Sequence, residues 1–269
     1  MLKKSSTIIV TLSLLGLLFA VTYTTGIKVT AKQTISLQNL HPDVILLNKA
    51  MIGDTDAVRR MLQDGVDPNT PPGPHDRGMT ALIFASWEGH TDIIKLLLRA
   101  RANVDAVSNS GATALMFAAH GGHTDTVREL LNSNANPNIQ APDGMTALSL
   151  AINNNHVNII KLLGKKGKAL QLRTNQGLTT PLMRAVKQGN LETVDAVLEA
   201  NPNLEARDKF GQSALMFAVD RGNIEIVTRL LDKDANPNAT DAKGAGVLRR
   251  AIALNHTEIV QLLQQRGAQ

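Results

Sequence analysis

The chain has 269 residues, 28 Lys+Arg against 23 Asp+Glu, and no cysteine, which excludes disulfides, thiolate metal sites, a cysteine nucleophile and a lipoprotein anchor. Lys3, Lys4 and Lys28 lie in an acid-free stretch of 31 residues, and the formal charge of +5 falls to +2 once they are set aside. A near-neutral body whose aromatics are Phe84, Trp87, Phe117, Phe210 and Phe217 offers neither the basic surface nor the stacking platform that nucleic acid needs.

Residues 1–31 read as an export signal. Lys3 and Lys4 precede a compact apolar run from Thr7 to Val21, a positive n-region followed by an h-region of signal-peptide length. Val29-Thr30-Ala31 supplies small residues for cleavage at Ala31, and Thr24-Thr25-Gly26 is a nearer, poorer alternative. Stretched to Ile27, the segment reaches about 20 residues, so retention as an uncleaved membrane anchor is the other reading. Both place the remaining chain across the membrane. The bacterial periplasm is the expected compartment, with secretion and membrane anchoring as alternatives. Residues 32–42 read as a short linker and 43–269 as one repeat domain. The sequons at Asn238 and Asn255 fall inside the repeat pattern and are read as coincidence.

From residue 43 onward a fixed period governs the sequence. Gly78, Gly111, Gly144, Gly177, Gly211 and Gly244 are spaced 33, 33, 33, 34 and 33 residues apart, and each opens a block such as GMTALIFA (78–85) or GQSALMFA (211–218). A second block recurs at constant offset: Gly89-His90, Gly122-His123, Asn155-His156, Gly189-Asn190, Gly222-Asn223 and Asn255-His256. A third is an apolar seam, for example Ile93, Ile94, Leu97 and Leu98, whose spacing places it on one helix face. Self-similarity at this period predicts an all-α repeat solenoid.

These blocks resemble the ankyrin-repeat family over residues 43–269, about seven units including two end caps. The resemblance implies a β-turn or hairpin loop followed by a helix-turn-helix in each unit. The family opens its first helix with Thr-Pro-Leu-His-x-Ala. Here Thr180-Pro181-Leu182 keeps the proline, and Ile83, Met116, Ser149, Met183, Met216 and Arg249 replace the histidine. Packing between repeats is therefore expected to lean on apolar contacts.

Local chemistry supports the same units. The recurring Thr suits a helix N-cap. The Gly-His and Asn-His pairs mark the turn between two short helices. Gly65, Arg101, Asn134, Gly167, Asn201, Asp234 and Gly267 fall where the second helix ends in a left-handed residue, and Arg101 is the misfit there. Asp67-Pro68-Asn69 and the Asn-Pro-Asn runs at 136–138 and 236–238 start the extended turn. Pro42 begins the first unit, a longer loop (70–77) closes it, and Gln261, Gln264, Gln265, Arg266 and Gln269 wet the last helix as a terminal repeat requires. Gly164 stands where Leu98, Leu131, Leu198 and Leu231 stand in other repeats, and an extra Thr at 179/180 lengthens the next one. A weak seam is expected there.

No catalytic constellation emerges. Gly164-Lys-Lys-Gly167-Lys168 lacks the spacing and Ser/Thr of a phosphate loop, and Asp232-Lys-Asp234-Ala-Asn236 has Pro237 and Lys243 where a calcium loop needs Gly and Glu. His123 of the His120/His123 pair belongs to the inter-helix slot. No enzyme activity, cofactor or metal is expected.

What remains is surface, and the resemblance implies contacts at turn tips and at first-helix positions on the concave face. In the second repeat these are Arg77, Met79, Trp87 and Glu88; in the third, Asn109, Ser110, Ala112 and His120; in the fourth, Asp143, Met145, Asn153 and Asn154. The later repeats add Gln176, Leu178, Lys187 and Gln188, then Lys209, Phe210, Gln212, Asp220 and Arg221, then Lys243 and Leu254. Trp87 and Phe210 are each either a hot-spot aromatic or a ring packed on the neighbouring repeat. The expected function is an exported, monomeric scaffold binding another protein in the periplasm and touching the membrane only through residues 1–31 if these are uncleaved. A secreted effector engaging a host protein, and an enzyme or metal-dependent protein with an unrecognised concave site, are the alternatives.

Overall fold

The computed structural model describes residues 41–70, 77–166, 172–173 and 178–269. The leader, the linker up to residue 40, most of the 70–77 loop, Gly167 and Gly177 lie outside the described residues. Fourteen helices occur among those described, in seven packed pairs. They are α1 (Pro42–Ile52) with α2 (Thr55–Gln63), α3 (Ala81–Glu88) with α4 (Thr91–Arg99), α5 (Ala114–Gly121) with α6 (Thr124–Asn132), and α7 (Ala147–Asn153) with α8 (Val157–Gly164). Then come α9 (Pro181–Gln188) with α10 (Leu191–Leu198), α11 (Ala214–Asp220) with α12 (Ile224–Leu231), and α13 (Val247–Ala253) with α14 (Thr257–Gln265). Odd-numbered helices pack in one row and even-numbered helices in a second. One continuous apolar core runs from Leu46 to Leu263, so each repeat completes its burial on its neighbours. Single antiparallel bridges, Val107 with Thr113 and Thr240 with Gly246, close two of the hairpin loops.

Thr80, Thr113, Thr146, Thr180 and Ser213 each accept a bond from the backbone N–H three residues on, at 3.1–3.4 Å, and so cap α3, α5, α7, α9 and α11. Clamped between two neighbours, α3, α5 and α7 are apolar over most of their surface: Leu82, Ile83, Leu115, Met116, Leu148 and Ile152 are fully buried.

The residue preceding each even-numbered helix follows two designs. Asn190 and Asn223 cap their own helices, accepting from Thr193 N at 2.8 Å and Ile226 N at 3.0 Å. His90, His123 and His156 make no such cap. Their rings reach into the preceding repeat, where Nε2 meets Met51 O at 3.0 Å, Trp87 O at 2.8 Å and His120 O at 3.0 Å. Each ring lies over the left-handed glycine that ends the preceding first helix. A Cβ on Gly53, Gly89 or Gly122 would stand 2.8, 2.5 or 2.6 Å from it. Where the following repeat carries Asn, the glycine is either replaced, as at Asn155 (φ 56°), or left open, as at Gly189, which has nothing within 4 Å. The stacking does lean on apolar contacts, as expected, and a polar bond between repeats is added to them. The family-motif histidine is missing, and the histidine at the helix turn bonds neighbour to neighbour instead.

A second relay runs along the loop tips. The Asp67, Asn103, Asn136, Asn203 and Asn236 side chains each accept the N–H two residues later, forming an Asx turn. The side chain at that later position then accepts from the next repeat: Asn69 from Asn103 N (2.6 Å), Asp105 from Asn136 N (2.9 Å), Glu205 from Asn236 N (2.9 Å) and Asn238 from Gln269 N (2.8 Å). The Asp-Pro-Asn and Asn-Pro-Asn runs therefore do more than start a turn.

Left-handed backbone falls where the sequence places it at Gly65, Arg101 (φ 65°), Asn134, Asn201, Asp234 and Gly267. One register is corrected. In other repeats the left-handed glycine lies two residues before the cap, as Gly78 does before Thr80. In the fifth repeat that place belongs to Leu178 (φ 56°), two before Thr180. The extra residue therefore lies upstream of Leu178 and not at Thr179/Thr180.

Gly164 is corrected as well. A Cβ there would stand 3.0 Å from the Ala200 Cβ of the next repeat, so a side chain at this position meets a neighbour that has to give way.

Three stability outcomes are expected in urea denaturation. Gly89→Ala and Gly189→Ala share the same left-handed strain (φ 80° and 81°), but the former also drives into the His123 ring. Its loss should exceed that of Gly189→Ala by about 1–3 kcal/mol, and a His123→Asn background should erase the excess. Equal losses would show that the ring does not wedge there. Arg101→Gly and Leu178→Gly should each raise stability by about 1 kcal/mol by relieving a left-handed non-glycine residue. A loss at either position would mean that its side chain makes stabilising contacts. Gly164→Leu should destabilise by about 1–3 kcal/mol, with recovery in an Ala200→Gly background. A gain from Gly164→Leu alone would restore the idea of an unfilled slot.

Candidate protein-binding face

The odd-numbered helices and the residues that end them turn two columns outward: Trp87, His120, Asn153, Lys187 and Asp220, then Glu88, Gly121, Asn154, Gln188, Arg221 and Leu254. Behind them runs a half-buried column of Phe84, Phe117, Leu150, Arg184, Phe217 and Arg250. Spacing by one repeat sets these columns, so neighbours within a column come from adjacent repeats.

Trp87 combines both sequence-based readings. Its ring stacks on Phe117 of the next repeat with centroids 5.3 Å apart and planes at 24°, yet the residue stays 48% exposed. One face is fixed by the stack, which leaves a rigid apolar platform at the surface. Phe210 is 59% exposed on a loop tip beside the Lys209 Nζ, 4.9 Å from the ring centroid. Its carbonyl accepts from Ala242 N of the next loop.

Amides dominate the middle of the face. His120 Nδ1 lies 3.2 Å from Asn154 Nδ2, and Asn153 accepts from Arg184 Nη1 at 3.0 Å through its side chain and from Gln188 Nε2 at 2.9 Å through its carbonyl. Lys187 Nζ stands 3.8 Å over the Phe217 ring, a cation–π contact. Arg77, Glu88, Asn109, Ser110, Asp143, Lys209, Arg221, Lys243, Leu178 and Leu254 are exposed. Several of these are committed locally: Arg77 O accepts from Asn109 N, Ser110 Oγ meets Ser108 Oγ at 2.8 Å, and Asp143 accepts from Met145 N at 2.9 Å.

Four residues of the sequence-derived set are revised. Met79 is 5% exposed and belongs to the core. Ala112 and Met145 are half-buried in their own turns, donating to Ser108 Oγ and lying against Ser149 Oγ respectively. Asp220 is held by Arg250 at 2.7 and 3.0 Å, with the Gln212 amide beside the same guanidinium. Gln176 lies outside the described residues.

Arg184 was not singled out by sequence. Its signal was present: it takes the column that holds Phe or Leu in four other repeats. Burial is the main cause pushing its pKa down, opposed by Asp143. Burial also lowers Lys187, against Asp208 and helped by the nearby Arg184 and Arg221 cations. Among the described residues no group of three His, Asp or Glu is arranged to hold a metal ion.

Residues 46–141, 133–208 and 182–269 match the family described as Ankyrin repeats (3 copies). Two solved structures share the fold, each at 24% identity and over 83% of this chain. The human ASB11 ankyrin repeat domain is matched over 98% of its length with a TM-score of 0.67, and the ankyrin repeat domain of Bcl-3 over 99% with a TM-score of 0.74. Apoptosis-stimulating of p53 protein 2 of Homo sapiens is 36% identical over 69 residues, 26% of this chain, and the match spans 6% of that protein's length. Its Mus musculus counterpart matches equally.

Proposed function

The chain belongs to the ankyrin-repeat family, and on that premise we propose that it is a non-catalytic scaffold whose odd-helix face binds another protein in the bacterial periplasm. The observation that carries this reading is the Trp87–Phe117 stack. A half-exposed aromatic whose ring is already immobilised loses little side-chain entropy on binding, which is the property of a hot-spot residue. It sits on the odd-helix row, beside amides and cations able to orient a partner.

Export rests on Lys3, Lys4 and the apolar run Thr7 to Val21, which together have the design of a signal segment. Alkaline phosphatase fused after residue 40 should be active in a bacterial host. An inactive fusion that is well expressed in the cytoplasm would remove the periplasm from the proposal, and mature chain in the culture medium would replace retention by release.

Binding is tested by crosslinking in the exported compartment, comparing the chain with Trp87→Ala. The variant should retain its melting temperature within a few degrees, since the side chain is half exposed, and should capture its partner at least tenfold less well, the scale of a hot-spot loss. Equal capture by the two would move the interface away from this face.

A further inference from the structure

The half-buried column behind the outward-facing side chains contains two arginines, and the fold treats them differently. Arg250 is neutralised within the chain, with Asp220 at 2.7 Å and Asp241 on its other nitrogen. Arg184, also half-buried, has the neutral Asn153 side chain as its hydrogen-bond acceptor, at 3.0 Å. Lys187 lies on the same helix face and rests on the Phe217 ring. Among the described residues neither cation has a carboxylate within ion-pair distance. Asp208, the acid felt by Lys187, is 9% exposed and is spent on the Phe210 and Gln212 N–H groups.

These side chains border a cavity. It has a volume of about 300 Å³ and is lined by Asn153, Thr179, Arg184, Lys187 and Gln188. About 30 Å³ holds one water, so the space accommodates a carboxylate side chain with its hydration. A half-buried cation without a counter-charge carries a desolvation penalty that an incoming anion relieves, and the same burial holds the Lys187 and Arg184 pKa values down.

We propose that this cavity takes the carboxylate of an acidic, extended segment of the partner protein, while an apolar side chain of that segment rests on the Trp87–Phe117 stack. The proposal depends on the odd-helix face being the binding face. Two helix-to-helix steps, α5 to α7 and α7 to α9, separate the stack from Arg184. At about 8–10 Å each they span roughly 16–20 Å, which an extended chain covers in about five or six residues. The acid and the apolar anchor are therefore about five or six residues apart in the partner. Asn154 lies between them, with His120 beside the stack and Gln188 at the cavity, and these supply donors and acceptors for its backbone. A free anion would fill the cavity without using the aromatic stack, so a protein segment is the ligand that accounts for both features.

Phage-displayed random peptides of about twelve residues, long enough to cover this span, are selected on the immobilised full chain. Trp87 is the single tryptophan, so its fluorescence reports engagement of the anchor end. Enriched peptides should carry Asp or Glu about five or six residues from a large apolar residue, and should perturb Trp87 emission. They should bind roughly tenfold or more weakly to Arg184→Gln/Lys187→Gln, the scale of losing a charge-assisted bond. Arg184→Lys, which keeps the charge, should retain the acidic preference, and unchanged thermal melting shows that each variant is folded. Enriched peptides without acids, or acidic peptides binding the Gln/Gln variant equally well, overturn the carboxylate pocket while leaving the binding face intact. Peptides indifferent to Trp87→Ala as well as to the Gln/Gln change, or a selection that enriches nothing, overturn the binding face along with the pocket.

Discussion

A helix in this chain ends where its neighbour begins to bind. The first helix of a repeat closes on a left-handed residue, and leaves a carbonyl without an intrahelical partner. In the N-terminal half, glycine at that position leaves the Cβ space empty, and the next repeat's imidazole occupies it while bonding the carbonyl. One ring thereby meets two requirements: it fills a void and it satisfies a backbone acceptor.

That arrangement explains why glycine and histidine occur as partners across repeats as well as beside each other in sequence. Gly53, Gly89 and Gly122 face His90, His123 and His156. In the fifth and sixth repeats asparagine takes the histidine's place, and the pairing returns at the end of the array, where the His256 ring lies 2.8 Å from the Cβ position of Gly222. Asn190 and Asn223 cap their own helices, and Asn155, freed from the need to be small, accepts from Thr193 Oγ1 of the next repeat at 2.9 Å. Local helix capping has there replaced one inter-repeat bond with another. Continuity is carried by a further relay: Gln140 donates to Arg173 O, Arg173 to Arg207 O and Arg207 to Thr240 O, each across one repeat. At the seam expected from Gly164 these loop bonds run on from repeat to repeat, and the Ala200 methyl stands 3.0 Å from the glycine's Cβ position.

What was legible in the sequence was whatever repeats. The period, the Thr caps and the left-handed slots all follow from chemistry confined to a few adjacent residues, and Arg101 could be identified as a misfit by alignment alone. What was not legible involves a second repeat. Sequence shows Gly164 as a missing side chain, but not that the Ala200 methyl stands against its Cβ position. It shows His123 between two helices, but not which carbonyl the ring finds. The inserted residue of the fifth repeat was misplaced because Gly177 looks like the expected glycine, whereas the backbone counts back from the Thr180 cap and puts Leu178 there. Met79 was placed at the surface by the family resemblance, which marks its position as a turn tip, and the burial of this particular side chain depends on the neighbouring repeat.

Stability and recognition divide along the face by where each side chain finds its partner. Side chains spent on neighbours (His90, Asn69, Asp220) have their partners within the chain, so their identity is dictated by the adjacent repeat. Arginine in the half-buried column makes the contrast plain. Burial of a guanidinium demands a counter-charge or tight hydrogen bonding. At Arg250 the chain supplies two carboxylates from the sixth and seventh repeats. At Arg184 it supplies one neutral amide beside an open cavity. Stability alone favours the phenylalanine or leucine that four other repeats place in this column, since an apolar residue fills the site with no ionic demand. The departure from that pattern falls on the face whose other outward residues include the Trp87 platform, and that coincidence of unspent charge and unspent apolar surface distinguishes this stretch of the solenoid from a purely structural one.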